Sequence, residues 1–434
     1  MTKKTNKIIE PKILRGTRDF LPEEMARRNL VQQKITSVFE RFGYDCIDTP
    51  AIEYAETLLG KYGDEGSKQL YRFKDNGGRD IVLRFDQTVP FARVVAANYS
   101  QLPMPFKRYQ ISKVWRADKP AKGRYREFTQ CDIDIIGTKN LLAETEIAKA
   151  MLAVFEKLGF KEFIIKINSR RLINSILDSL MVKQEDQPAV MCALDKFNKI
   201  GRAGVIEEMK LICDEKTIEN ILDATLLTGT NSEKVEKLEK YDIQEVKNFL
   251  RLCSQAGISE TFLEFDPSLV RGLDYYTGII YEVYVNGVDI GAVCAGGRYD
   301  DLCGLFTQEE FSGVGVAFGF DRIVVAMETL GLLNDVRLNS EVLVIYFDEE
   351  TLPKSLEVWN QLQSTGIDTE IYFEPAKLQK QFAYANKKKI RFVVLCGPDE
   401  VKENAITIKN MDTGKQKTIP QSQLDSYFKG YTNL

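Results

Sequence analysis

The chain has 434 residues, is 44% hydrophobic and 28% charged, and carries a formal net charge of −4. These values fit a globular protein of roughly two or three domains and exclude a disordered, collagen-like or strongly basic chain. It contains no histidine, which excludes Ser-His-Asp and Cys-His nucleophile systems and every histidine-based zinc site.

The 8 cysteines form no C-x-x-C pair, which argues against a zinc ribbon or a disulfide scaffold and fits a reducing compartment. The opening MTKKTNKIIEPKIL has no secretion or organelle pattern, and no run approaches the ~18 apolar residues of a membrane span. The expected location is the cytoplasm.

In chain order, Met25, Leu30, Val31, Ile35, Val38 and Phe39 predict an amphipathic helix over 24–43, ended by Gly43. A short strand over 44–49 stops at Pro50. Residues 79–86 alternate as a strand, and a helix follows over 88–98. Residues 106–137 read as a strand, a polar loop and a second strand, an antiparallel hairpin. In its second strand Gln130, Asp132 and Asp134 share one face, and Cys131, Ile133 and Ile135 share the other.

A helix is expected over 141–158. From about 170 to 260 the sequence is helix-forming and reads as a helical insertion. Strands return at 275–285 and 290–295, and GVGVAFGFDRIVVAMETL reads as a glycine-rich strand running into a helix. The polar stretch 334–340 is the expected domain boundary. Beyond it, strands at 341–347, 368–373 and 390–396 alternate with helices at 351–365 and 376–388, which predicts a small α/β domain with a parallel sheet.

Without histidine, catalysis must rest on arginine, lysine, carboxylates, tyrosine, backbone and magnesium, and phosphate chemistry is the natural expectation. Lys107, Arg108, Lys113, Arg116, Lys119, Lys122, Arg124 and Arg126 face a single acid, Asp118, in the hairpin. Such a run suits polyphosphate and nucleic-acid contact. Arg271–Gly278 and Gly296–Asp300 each combine cation, acid, tyrosine and glycine, as the wall of a ligand pocket would. Gly313–Gly319 is spaced G-x-G-x-x-x-G and opens no βαβ unit, so a dinucleotide fold is rejected. Lys377, Lys380, Lys387, Lys388, Lys389 and Arg391 read equally well as an RNA-facing patch or as a solvated helix end.

These segments resemble a known family. RGTRDFLPEE (15–24), LRFDQTVPFAR (83–93), VWRADKPAKGRYREFTQCDIDIIG (114–137), LVRGLDYYTG (269–278), CAGGRYDDL (294–302) and GVAFGFDRI (315–323) resemble class II aminoacyl-tRNA synthetases, and specifically the histidyl-tRNA synthetases. The third and last resemble class II motifs 2 and 3. The resemblance implies an α+β fold: a catalytic core on a six-stranded antiparallel sheet (1–333), interrupted by a helical insertion domain (170–260), and a C-terminal α/β anticodon-binding domain (334–434). It implies a homodimer built partly on the first long helix.

It further implies that Arg116 and Arg271 contact the ATP α-phosphate and Arg322 the γ-phosphate. Asp86, Gln87, Thr88 and Gln130 would hold the amino and carboxylate groups of L-histidine, and Arg116 and Arg271 would belong to the histidine-binding set as well as to the ATP site. Asp134, Tyr275, Tyr276 and Tyr299 would surround its imidazole. The substrates it implies are L-histidine, ATP with Mg2+ and tRNA(His), with no metal site of the protein's own. Ala117 and Thr129 stand where many bacterial members carry histidine, Asp134 where many carry glutamate, and Ala121 where some carry glutamine. The rival reading is a non-catalytic regulatory paralogue of histidine biosynthesis. Such relatives lose the last domain and the arginines, which are present here.

Overall fold

The computed structural model describes residues 9–59, 68–121, 123–270, 276–300, 302–336, 338 and 340–429. The chain divides into two compact units, Met1–Asp19 with Val31–Leu332, and Phe20–Leu30 with Leu333–Leu434.

Helix α1 (Pro22–Arg41) opens with proline and two glutamates and closes before Gly43 at φ +73°. Its Val31, Ile35, Val38 and Phe39 are buried. Strand β1 (Asp45–Cys46) is shorter than its sequence suggested. Strands β2 (Ile52–Tyr54), β3 (Arg72–Lys74) and β4 (Asp80–Leu83) make a small sheet in the order β2-β4-β3. Helix α2 (Ala55–Leu58) follows β2, and α3 (Thr88–Asn98) follows β4.

The main sheet is built on the hairpin β5 (Phe106–Trp115) and β6 (Glu127–Ile136). Helix α4 (Leu142–Leu158) covers it, and β7 (Phe163–Ser169) leads into six helices: α5 (Arg170–Ser179), α6 (Gln187–Asp195), α7 (Phe197–Met209), α8 (Glu215–Thr225), α9 (Asn231–Lys237) and α10 (Gln244–Gln255). Ile173, Leu177, Val190, Leu194, Val205, Ile218 and Leu222 give these helices a core of their own. Strands β8 (Leu263–Phe265), β9 (Ile279–Val285), β10 (Cys294–Tyr299) and β11 (Gly313–Gly319) complete the sheet, and α11 (Phe320–Thr329) leaves it.

The strand order is β1-β5-β6-β11-β10-β9-β7-β8. The six inner strands are antiparallel, and β1 and β8 add parallel to its edges. One face is apolar: Cys131, Ile133 and Phe318 are fully buried, and Phe318 packs on Phe39 and Phe155 at ring separations of 5.4 and 6.0 Å.

Arg298 of β10 points to α4. It meets Glu144 through Nε and through Nη2 at 2.7 Å, and Nη1 donates to the Thr138 carbonyl at 2.9 Å. Both side chains are almost wholly buried, at 3% and 1% exposure. Glu144→Gln removes the bidentate counter-ion of a buried guanidinium, leaving only the longer pair with Asp300 at 3.7 Å, and is expected to destabilise this unit by about 3 kcal/mol. The check is a lowered urea midpoint, most of which the double change Glu144→Gln with Arg298→Met restores.

In the second unit β12 (Val342–Tyr346) pairs parallel with β13 (Thr369–Ile371) and β14 (Phe392–Cys396). Helices α12 (Leu352–Ser364), α13 (Leu378–Lys388), α14 (Pro398–Glu403) and α15 (Leu424–Lys429) accompany this sheet. Its two faces bury different residues, Val342, Val344 and Val394 on one and Leu343, Ile345 and Val393 on the other. The sheet is not wholly parallel, as the sequence had suggested. β15 (Ala405–Asn410) and β16 (Gln416–Pro420) are antiparallel, because Asn410 and Gly414 make a tight turn between them. No helix among the described residues is long and apolar enough to cross a membrane.

Candidate active site

The open face of the main sheet owes its form to residue size. On β11 the cross-strand partners of Gln130, Asp132 and Asp134 are Gly319, Ala317 and Gly315. On β10 Ala295 and Gly297 stand opposite Ala317 and Gly315. Small residues on two central strands leave a trough, and the polar rows of β5 and β6 flank it. A cavity of about 380 Å³ occupies it.

Asp86, Thr88, Arg116, Gln130, Asp134, Tyr276, Tyr299 and Arg322 all line this cavity. Gln87 does not. It is fully buried, and its amide donates to the carbonyls of Ser112 at 3.0 Å and Gln130 at 3.2 Å. Its side chain therefore fixes α3 against the hairpin. Arg271 and Tyr275 lie outside the described residues.

At one end Asp134 is held from two sides. Arg108 Nη2 lies 2.5 Å from Oδ2, and the Tyr299 hydroxyl donates to Oδ1 at 2.6 Å. Arg108 is 0% exposed and stacks over Phe91 at 4.5 Å. Burial pushes the Asp134 carboxyl above its ordinary range, while Arg108 and the Tyr299 hydroxyl pull it back. Burial, then the charge of Asp134, raises the Tyr299 hydroxyl well above its usual value, so that it stays a donor at neutral pH. The Tyr276 ring lies over Gly297, 3.0 Å from where a β-carbon there would stand.

Toward the hairpin loop, Arg116 is clasped by Phe85 and Phe128, with its guanidinium carbon 4.2 and 5.2 Å from their ring centres. Its Nε donates to the Phe85 carbonyl at 3.2 Å. Arg322, in the first turn of α11, donates from Nη1 to the Ala292 carbonyl at 2.7 Å. The preceding Asp321 accepts from the Thr129 amide at 2.9 Å and pairs with Arg18 at 2.5 Å, which ties the start of β6 to α11. Asp86 Oδ1 accepts from the amides of Thr88 and Val89 at 3.1 and 3.2 Å, opening α3. The cavity thus presents the carboxylates of Asp86, Asp132 and Asp134 together with three arginines, Arg116, Arg124 and Arg322, whose planar forks suit phosphate oxygens.

Asp132 and Glu282 belong to this face and were not among the site residues read from sequence, and Arg108, read with the basic run as a phosphate or nucleic-acid contact, is instead fully buried against Asp134 because it takes an inward position of β5. The signal for Arg108 was its place in an alternating strand, opposite Asp134 once the hairpin register is known. Asp132 was visible beside Gln130 and Asp134 but had been given no role. In the second unit, Lys388 pairs with Glu370 at 2.5 Å, Lys389 with Glu23 at 3.1 Å, and Arg391 with Asp412 at 3.9 Å.

A family model described as histidyl-tRNA synthetase matches residues 16–323, and one described as an anticodon binding domain matches residues 341–431. A histidine–tRNA ligase of Cytophaga hutchinsonii is 39% identical over 94% of this chain and 97% of its own length. One of Helicobacter acinonychis is 39% identical over 94% of this chain and 96% of its own. The crystal structure of histidyl-tRNA synthetase from Nostoc sp. PCC 7120 superposes with a TM-score of 0.87 at 29% identity, covering 98% of this chain and 100% of that one.

Proposed function

The chain belongs to the histidyl-tRNA synthetase family, and from that premise we propose how its own residues divide the work. It is an aminoacyl-tRNA synthetase that attaches L-histidine to tRNA at the expense of ATP. The observation that carries the assignment of roles is a single cavity lined by Arg116 and Arg322 together with Thr88, Gln130, Asp134 and Tyr299.

In the first step a carboxylate oxygen of histidine attacks the α-phosphorus of ATP, which enters as its magnesium complex. The bond to the bridging oxygen breaks, pyrophosphate leaves, and a histidyl adenylate remains. Arg116 holds the α-phosphate and stabilises the charge that spreads over its oxygens. Arg322 holds the γ-phosphate. Arg271 is assigned the third positive charge on the resemblance of its segment alone. In the second step a ribose hydroxyl of the terminal adenosine of tRNA(His) attacks the carbonyl of the adenylate. The ester forms, AMP leaves, and the hydroxyl proton is lost.

Asp134, oriented by Arg108 and Tyr299, accepts from an imidazole N–H. A buried acceptor of this kind rejects apolar amino acids by ~10⁴ or more, because their binding leaves it unpaired. The second unit is assigned to the anticodon, with Lys377, Lys380 and Lys387 as candidate backbone contacts. A homodimer is supported by Ile52, Tyr54 and Phe73, apolar residues 43–50% exposed on the small sheet. Eight free cysteines favour the cytoplasm.

The test is charging of tRNA(His) with labelled histidine. Base-labile label on the tRNA, dependent on ATP, is the expected result; a folded protein that charges no tRNA would overturn it. Sedimentation at micromolar concentration, with Phe73→Lys as the disrupting variant, tests the dimer.

A further inference from the structure

Asp86, Asp132 and Asp134 all line the cavity, but they are not equally engaged. Asp134 is committed to Arg108 and Tyr299, and Asp86 caps α3. Asp132 is 2% exposed, and neither of its carboxylate oxygens has a hydrogen-bond partner among the described residues. A buried carboxylate left this way is costly, and a folded chain retains one where a ligand completes it.

The surroundings say what that ligand group is. Ala317 opposite Asp132 keeps the space above it open, and Gln130 and Asp134 flank it at about 7 Å along the strand. Arg108 already has Asp134 as its counter-ion. Burial holds the Asp132 carboxyl well above its ordinary range against the pull of Arg108, and the charges of Asp134 and Asp86 raise it further. No cation among the described residues forms an ion pair with Asp132, since Arg108, opposite the next row of the strand, is paired with Asp134. Near neutral pH the imidazole of free histidine is mostly uncharged, and its α-amino group is the obligate cation.

Resting on the assignment of histidine as substrate, the geometry points to Asp132 as a specificity-determining residue. Its carboxylate is the counter-ion of the substrate's α-ammonium group, set between the residues assigned to the two ends of the molecule. Asp132 thereby couples amino-group recognition to the same strand that reads the imidazole.

The experiment is calorimetric binding of three compounds to the full-length protein. L-histidine carries both charges, histidinol keeps the ammonium without the carboxylate, and imidazole-4-propionate keeps the carboxylate without the ammonium. Binding of histidine to the unsubstituted protein tests the underlying assignment by itself. In Asp132→Asn, and in Asp132→Gly as a second variant that adds no amide, histidine and histidinol should each bind about thirtyfold more weakly, the cost of losing one charge-assisted contact. Imidazole-4-propionate should be unchanged within threefold. Equal weakening of all three compounds would show that Asp132 only shapes the pocket, and unchanged histidine binding would show that it is not used; either overturns the proposal.

Discussion

Arg116→Ala is expected to lower the rate of adenylate formation about a thousandfold, the upper range for removing one preorganised donor to developing charge. The effect should fall on kcat more than on the KM for histidine, because the group proposed to meet the guanidinium in the transition state is the α-phosphate. Two rings and one backbone carbonyl hold it in place, so it loses no freedom when ATP arrives. Lysine should not rescue it, since an ammonium is a point charge without the planar fork. Circular dichroism should be unchanged, because Arg116 is only half-buried. A loss below tenfold in pyrophosphate exchange would contradict the role.

Gly315→Ala is expected to raise the KM for histidine about a hundredfold and to leave the KM for ATP nearly untouched. A β-carbon there would stand 1.9 Å from Asp134 Oδ1, 2.5 Å from its Cγ and 2.7 Å from the Ile133 carbonyl. The carbonyl is part of the sheet and cannot yield, so the carboxylate must move away from Arg108 and Tyr299. A hydrogen bond to a charged group is worth about 1.5–3 kcal/mol, which converts to roughly 10- to 150-fold in affinity. Arg108 would then sit buried beside a displaced partner, so a lower melting temperature should accompany the change. A KM within threefold of the original would show that the carboxylate can relocate without loss.

The long elements were legible because their periodicity is strong. The helices at 22–41, 88–98 and 142–158 and the hairpin at 106–136 lie within two residues or so of where apolar spacing places them. The last inner strand of the hydrophobic pattern was not. A strand expected at 290–295 lies at Cys294–Tyr299, because CAGGRY has no bulky alternation. Its small residues serve the trough, and a strand selected for emptiness carries no hydrophobic signal. The three-residue strands β2 and β3 are too short for alternation to mark them and exist through pairing with β4.

The site was legible in its motifs and illegible in its register. Asp86, Gln87 and Thr88 are consecutive, yet the start of α3 turns Gln87 into the core while its neighbours face the cavity. Arg108 and Asp134 are 26 positions apart and meet only because Phe106 pairs with Ile136. Which of three aspartates is left without a partner depends on such pairings across β5, β6 and β11, and no single segment contains that information.

The most direct measurement is ATP–pyrophosphate exchange with each of the twenty amino acids in turn, without tRNA. Exchange with histidine alone, at least a thousandfold above any other amino acid, is the result predicted from an Asp134 fixed by Arg108 and Tyr299 in the same cavity as Arg116 and Arg322. Exchange with a second amino acid, or none with histidine from a folded protein, would contradict it.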